Sequence, residues 1–374
     1  MNSFSPHLYK LEAQHRGLDK DTIEASIRQY ESMLNDGILP ILSLKHLANL
    51  TNVDYSFLRR IVGRKIDPYK TIEQPKRSGG TRLISAPQPR LKAIQRWILD
   101  YVLRDVKTHP LSFAYENNKS ILDCAKIHIG MRWMIKFDLR NFFDSVKENR
   151  VYKVFRTLGY SSLVSFEMTR ICTRKLGVDS EEKEEEIEKQ YPVIHTYVNG
   201  TNGCLPQGAP TSGKLANIIC FDLDERINHM AIKNGFAYSR YSDDIFLSGC
   251  DVFDRKKAQQ IISCVSNFVH QEGFSLQKRK THVITPGARK IVLGLTVTDQ
   301  GVKPMREFRK QIEHDIYGVK KFGLVEHVHH RHYHSLFGFI NHVDGCIAFV
   351  RGIDSELGDE YKKLWEEAIS RYDL

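Results

Sequence analysis

FAYSRYSDDIFLS, residues Phe236–Ser248, is the stretch on which the reading of this chain turns. Apolar and aromatic residues dominate Phe236 to Tyr241, adjacent carboxylates follow at Asp243 and Asp244, and Ile245-Phe246-Leu247 resumes the apolar run. Two short apolar runs broken by small polar residues predict a β-hairpin with the acidic pair at its bend. Neighbours on a strand point to opposite faces, so side-by-side carboxylates can share a ligand only at a turn. Burying two like charges there is costly unless a cation neutralises them. A divalent metal meets that need. An exposed turn, where aspartate is common, has no such need.

A third acid bears on that choice. Met134–Leu139, MIKFDL, is a mostly apolar run with strand character that carries Asp138 near its end, and Arg140-Asn141-Phe142-Phe143-Asp144 follows as a turn into a helix. One aspartate ending a buried strand, with a separate pair on a hairpin, is the arrangement that two-metal phosphoryl transfer needs. Two Mg²⁺ ions roughly 4 Å apart clamp the attacking and leaving oxygens, and hard oxygen ligands suit them. Asp138 can equally serve as a helix N-cap.

These residues carry a family resemblance. Tyr241-Ser242-Asp243-Asp244 resembles the Tyr-x-Asp-Asp box of reverse transcriptases, and Asp138 with Phe142-Phe143 is similar to their first catalytic motif. Leu205-Pro206-Gln207-Gly208-Ala209-Pro210-Thr211-Ser212 resembles their Leu-Pro-Gln-Gly motif. The match is ordered and spans residues 75 to 300 approximately. It implies an α+β right-hand polymerase fold with fingers, an antiparallel-sheet palm and a helical thumb. The domains expected are an N-terminal helical extension at 1–70, fingers at 71–133, a palm at 134–300 with interleaved fingers segments, and a thumb at 301–374.

Bulk properties agree. At 374 residues the chain can bury a large core. A net charge of +10 and a pI near 9.1 favour a polyanionic partner such as nucleic acid. Seven scattered cysteines without a Cys-x-x-Cys pair point to free thiols in a reducing cytoplasm and away from a zinc site. No apolar run reaches the length of a membrane span and the N-terminus lacks a signal-peptide core, so no membrane partner and a cytoplasmic location are expected.

Taken in order, residues 1 to 70 read as helices with apolar residues at three-to-four spacing, and Ser43–Leu58 resembles a small helix-turn-helix better suited to packing than to nucleic acid. Lys76-Arg77-Ser78-Gly79-Gly80-Thr81-Arg82 is a basic loop between strands, as apt for a triphosphate as for a solvated turn. The resemblance implies nucleotide contacts from Lys76 and Arg82, with Arg77 the alternative for the lysine position. Ala125 and His128 match a retron Asn-Ala-x-x-His element in which Cys124 replaces asparagine. His128 is accordingly a candidate nucleic-acid contact, or a hydrogen-bonded structural residue. Phe143 stands where the family places the bulky gate that excludes a ribose 2′-hydroxyl, although core packing also explains a phenylalanine there.

Helices are expected at Asn141–Leu158, Ser161–Lys175, Ser212–Asn228 and Asp254–Gln271. Between them VDSEEKEEEIEKQ, Val178–Gln190, holds seven acids against two lysines. Such density does not fit a nucleic-acid groove, and residues about 176–203 read as an insertion without a catalytic part. Gln207 and Gly208, at a turn entering a helix, suit a bound nucleotide. Lys280 resembles the lysine of the family's fourth motif, which approaches the phosphates; a plain salt bridge is the other reading. Val292-Leu293-Gly294 stands where retrons have Val-Thr-Gly and resembles the hairpin that grips the primer, which brings in Gly294 beside Tyr241. Arg306, Arg309, Lys310, Lys320 and Lys321 are the basic set of a helical thumb. His327, His329, His330, His332 and His334 crowd one span, open to metal from composition alone and better read as part of a basic, aromatic nucleic-acid surface.

The expectation is therefore an RNA-directed DNA polymerase of the retron kind. Two Mg²⁺ ions would sit on Asp138, the Leu139 backbone carbonyl, Asp243 and Asp244. Its partners would be a structured noncoding RNA and its DNA copy, deoxynucleoside triphosphates and an effector protein of an anti-phage system. Another bacterial defence or group II intron-derived reverse transcriptase is the alternative enzyme. A non-catalytic RNA-binding scaffold is the alternative class, and intact Asp138, Asp243, Asp244, Gln207 and Lys280 argue against it.

Overall fold

The computed structural model describes residues 6–15, 17–75, 79–175 and 203–372. Lys76, Arg77 and the acidic stretch lie outside the described residues. The chain opens with α1 (Pro6–His15), α2 (Lys20–Asn35), α3 (Leu44–Thr51) and α4 (Tyr55–Val62). Asp19, Ser43 and Asp54 start α2, α3 and α4 by accepting backbone N–H groups that the first turn leaves unpaired. Strands β1 (Tyr69–Pro75) and β2 (Thr81–Pro87) follow, then α5 (Pro89–Ile98), α6 (Ile121–Lys126) and β3 (Trp133–Asp138). Helices α7 (Phe142–Ser145), α8 (Glu148–Thr157), α9 (Ser162–Cys172), α10 (Ser212–Ile219) and α11 (Phe221–Lys233) come next. Strands β4 (Phe236–Tyr241) and β5 (Asp244–Gly249) precede α12 (Arg255–Gln271). Short strands β6 (His282–Ile284), β7 (Lys290–Val292), β8 (Leu295–Val297) and β9 (Val302–Pro304) lead to α13 (Arg306–Phe322), α14 (Leu324–His330), α15 (Leu336–Arg351) and α16 (Ser355–Ile369).

Two units partition the chain: Met1–Pro110 with Leu139–Glu225 and His270–Ser275, and Leu111–Asp138 with Arg226–Val269 and Leu276–Leu374. In the first, β1 and β2 pair antiparallel from Tyr69↔Pro87 to Pro75↔Thr81. The pair of helices expected at Ser43–Leu58 is present as α3 and α4, with Leu44, Leu47, Leu58 and Ile61 buried. Glu148 is buried between Arg64 and Arg170, with the Thr173 hydroxyl donating to it at 2.9 Å. Arg174 grips Asp67 through Nε and Nη2, donates to Thr71 and Ser85, and lies over the Tyr69 ring. Its backbone pairs with Cys204 through bonds of 2.9 and 3.0 Å in both directions. Two helices read as continuous in the sequence are broken here. Lys147 bridges to Cys204 between α7 and α8, and the chain turns at Cys220 between α10 and α11. Tertiary pairing overrides helical spacing at the first break.

The second unit holds a four-stranded antiparallel sheet in the order β4-β5-β3-β6 and a three-stranded one in the order β7-β8-β9. Phe113, Cys124, Ala125, Met134, Phe246, Val292, Leu295 and Val297 form one core. The last four helices share another, centred on Phe339, Val343 and Trp365.

Candidate active site

The hairpin forms where the alternation placed it. Tyr241↔Asp244 is its last pair, leaving Ser242-Asp243 as a two-residue turn. Ser242 adopts a φ of +58°, a conformation costly for a residue with a Cβ and one that persists when its surroundings fix it. Two groups do so. Arg240, fully buried, donates to the Ser242 carbonyl at 3.1 Å, and the Tyr115 and Ser242 hydroxyls lie 3.1 Å apart.

On the neighbouring strand Asp138 is the cross-strand partner of Asp244, so both side chains leave the same face at the same end of the sheet. Asp243 sits on the turn beside them. Asp138 is 6 % exposed, and Lys280 donates to its Oδ2 at 2.7 Å. Lys136 reaches Asp244 Oδ1 at 3.2 Å from two residues up the same strand face as Asp138. Burial pushes the Asp243 carboxyl above its usual range, and the charge on Asp138 adds to that. Burial also raises Asp244, with Lys136 pulling the other way. Lys280 is held protonated more firmly than a free lysine, chiefly by its hydrogen bond to Asp138.

This is the electrostatic signature of a cation site: three hard oxygen donors drawn together out of water, two of them destabilised as anions. The spacing is looser than in a formed metal cage. Among the described residues, ligand atoms lie within 4.8 Å of one another at His314, Asp315 and His327. The three acids share one end of the sheet with a lysine on two of them, Lys280 on Asp138 and Lys136 on Asp244.

The remaining expected positions divide between the units. In the first, Ser85 on β2 donates its N–H to the Gln207 carbonyl at 2.7 Å. A Cβ on Gly208, whose φ is +119°, would meet the Ser85 carbonyl at 2.9 Å, so glycine alone fits. Arg82 is exposed on β2, Phe142 is buried against Phe274, and Phe143 is half-buried. Leu139 is buried.

In the second unit, Leu293 and Gly294 form the two-residue turn of the β7–β8 hairpin, both with positive φ as a type I′ turn requires. Tyr241 is half-buried. On α13, Arg306, Lys310 and Lys321 are exposed, Arg309 is half-buried, and Lys320 pairs with Glu367 at 3.2 Å.

Of the two readings of His128, the structure shows the hydrogen-bonded structural residue and not an exposed nucleic-acid contact. Its ring is fully buried, with Nδ1 2.6 Å from Ser248 Oγ and Nε2 2.7 Å from Ser239 Oγ. The histidine-rich span also divides: His327 is buried against Asp315 at 3.1 Å, whereas His329, His330, His332 and His334 are exposed. Lys136, Arg240, Tyr115, Ser239 and Ser248 escaped the sequence reading. Each lay inside a run read as strand or loop, and Lys136, Tyr115, Ser239 and Ser248 meet side chains far along the chain.

A family model described as "Reverse transcriptase (RNA-dependent DNA polymerase)" matches residues 74–303. Retron Ec86 reverse transcriptase of Escherichia coli is 30% identical over 321 residues, covering 85% of this chain and 87% of that protein. The chain belongs to the reverse transcriptase family and is of the retron type. Retron Mx65 reverse transcriptase of Myxococcus xanthus is 32% identical over 293 residues, which cover 78% of this chain and 63% of that one. Among solved structures, telomerase from Candida albicans aligns with 83% of this chain at 14% identity and a TM-score of 0.43. The fold is the right-hand polymerase fold of its family, and the enzyme is an RNA-directed DNA polymerase, a nucleotidyltransferase. Such enzymes depend on divalent metal, and the carboxylate set fits one. No helix among the described residues is long and apolar enough to cross a membrane.

Proposed function

We propose that this retron reverse transcriptase copies a structured noncoding RNA into a single-stranded DNA that stays linked to RNA, within a cytoplasmic anti-phage system that includes an effector protein. The convergence of Asp138, Asp243 and Asp244 at one end of one sheet, with Lys280 on the first of them, carries the catalytic part of this reading. The fingers are residues 71–133, the palm 134–300 and the thumb 301–374.

Asp138, Asp243 and Asp244, with the Leu139 carbonyl, would hold two Mg²⁺ ions. When bound, the ions supply activation of the primer hydroxyl and neutralisation of the pyrophosphate that leaves. The protein's own work is positioning and charge balance rather than covalent catalysis. Lys280 pairs with Asp138 and brings a proton to the phosphate side. Lys76 and Arg82 bind the triphosphate, Gln207 and Gly208 border the nucleotide, and Phe143 excludes a 2′-hydroxyl. Tyr241 and Gly294 hold the primer end. Arg306, Arg309, Lys310, Lys320 and Lys321 meet phosphates, a reading supported by the exposed Arg306, Lys310, Tyr317 and Lys321 at helical spacing along α13.

Purified protein with Mg²⁺ should extend a primer on RNA, and the Asp243→Ala/Asp244→Ala protein should not. Equal extension by both would overturn the site assignment. Sequencing the nucleic acid that copurifies with the protein tests the retron product: a branched, RNA-linked DNA is expected, and unlinked RNA alone would count against it.

A further inference from the structure

The pairing register puts a buried polar group on the catalytic face that neither metal nor nucleotide chemistry uses. Cross-strand partners leave a sheet on the same side, and every second residue returns to it. Asp138, Asp244 and Tyr241 therefore form one row, Lys136, Phe246 and Ser239 the next, and Met134, Ser248 and Ala237 the third. His128, just beyond α6, lies on the second and third rows. It touches Ser239 of β4 with one nitrogen and Ser248 of β5 with the other.

Those serines are diagonal neighbours, since Ser239 pairs with Phe246 and Ser248 with Ala237. Diagonal positions on one face stand roughly 7 Å apart, a span that an imidazole with a hydrogen bond at each nitrogen fills. The His128 ring also lies 5.9 Å from the Phe246 ring, and the Lys136 amine sits 5.2 Å over that same phenyl while it holds Asp244. A continuous set of contacts thus runs from His128 to a catalytic acid.

We propose that His128 is a positioning residue for DNA synthesis: it fixes the stagger of the hairpin bearing Asp243 and Asp244, and braces the phenyl from which Lys136 steers Asp244. Stagger matters because a one-residue slip would send the Asp244 side chain to the opposite face. A neutral imidazole has one donor and one acceptor, so one serine accepts from it while the other donates to it. Burial pushes its pKa down to about 3, which keeps the ring in that neutral form. A face selected for stability alone would carry β-branched apolar residues at 239 and 248, because burying three polar groups gains little even when they satisfy one another.

The inference rests on Asp138, Asp243 and Asp244 being the catalytic acids, which their own substitutions test separately. The decisive protein is the full chain carrying His128→Leu, Ser239→Ala and Ser248→Ala together, which leaves only the weakly polar Cys124 thiol, 3.3 Å from Ser239 Oγ in the parent, without that partner. The melting temperature is expected to stay within a few degrees of the parent or to rise. The kcat on an RNA template should fall about tenfold, the KM for deoxynucleotide should stay within about twofold, and Mn²⁺ binding followed by electron paramagnetic resonance should weaken. A parental kcat at unchanged melting temperature would overturn the proposal. If the triple variant does not fold, Ser248→Ala decides, since it frees one end of the link by removing a single hydroxyl. A several-fold loss in kcat with KM retained is expected there, and a kcat equal to the parent's would overturn the proposal.

Discussion

The second unit buries carboxylates in two places, and the two are built differently. Asp315, on α13, is closed. His327 and the Arg331 guanidinium lie 3.1 and 2.8 Å from its Oδ1, and Gln311 donates to Oδ2 at 3.2 Å. At the end of the four-stranded sheet, Asp138 meets Lys280 and Asp244 meets Lys136, each lysine on a long flexible stem. A lysine amine is a point charge that can swing away, whereas a guanidinium fork beside an imidazole fixes its acid in place. The looser cluster is the one fit for chemistry, although the tighter one has the more metal-like spacing. Proximity of ligand atoms is thus a poorer guide here than whether those atoms are already spoken for.

This contrast can be broken at several strengths. The largest effect is expected from Asp138→Asn, which should lower RNA-templated synthesis about 10³-fold while leaving the urea midpoint near the parent's. Asp315→Asn should do the reverse. Primer extension should be nearly unchanged, but unfolding should come about 3 kcal/mol earlier, because Arg331 and His327 lose their buried counter-charge. Similar losses of synthesis in both proteins would erase the distinction.

A smaller effect concerns the histidine behind the hairpin. Its folded pKa of about 3 lies below the ordinary value, so between the two the unfolded chain binds the proton and the folded one does not. Its contribution to stability is complete above pH 6.5 or so, and is lost as pH falls toward 3, at no more than about 1.4 kcal/mol per pH unit. Urea melts at neutral and mildly acidic pH should show a steeper decline for the parent than for the His128→Leu/Ser239→Ala/Ser248→Ala protein. Parallel declines would place the proton elsewhere. The smallest expected effect is from Zn²⁺. Because Asp315 is closed, adding it should leave the melting temperature unchanged, and a clear rise would mean that this cluster opens.

Much of the catalytic end was legible in the sequence. The alternation around Asp243-Asp244 and the apolar run leading to Asp138 are local patterns, and both strands formed where those patterns put them. What was hidden lay in long-range pairing. Ser239 and Ser248 look like interruptions of apolar runs until a histidine 111 and 120 residues earlier reaches them. Lys136 looks like a stray polar residue of an apolar strand until register sets Asp244 diagonally beside it. His128 was read as a candidate contact for nucleic acid because a sequence cannot show what surrounds a lone imidazole. The break between α7 and α8 was hidden for a similar reason, since Lys147 is claimed by Cys204, far downstream.

One rung of backbone has a practical consequence. The chain departs at Arg174 and comes back at Cys204, and those two residues bond to each other in both directions. A flexible insert added between them would begin and end at a single clasp, and each doubling of such an insert is opposed by about 0.6 kcal/mol of loop entropy. Here is a socket for a fluorescent reporter or an affinity handle.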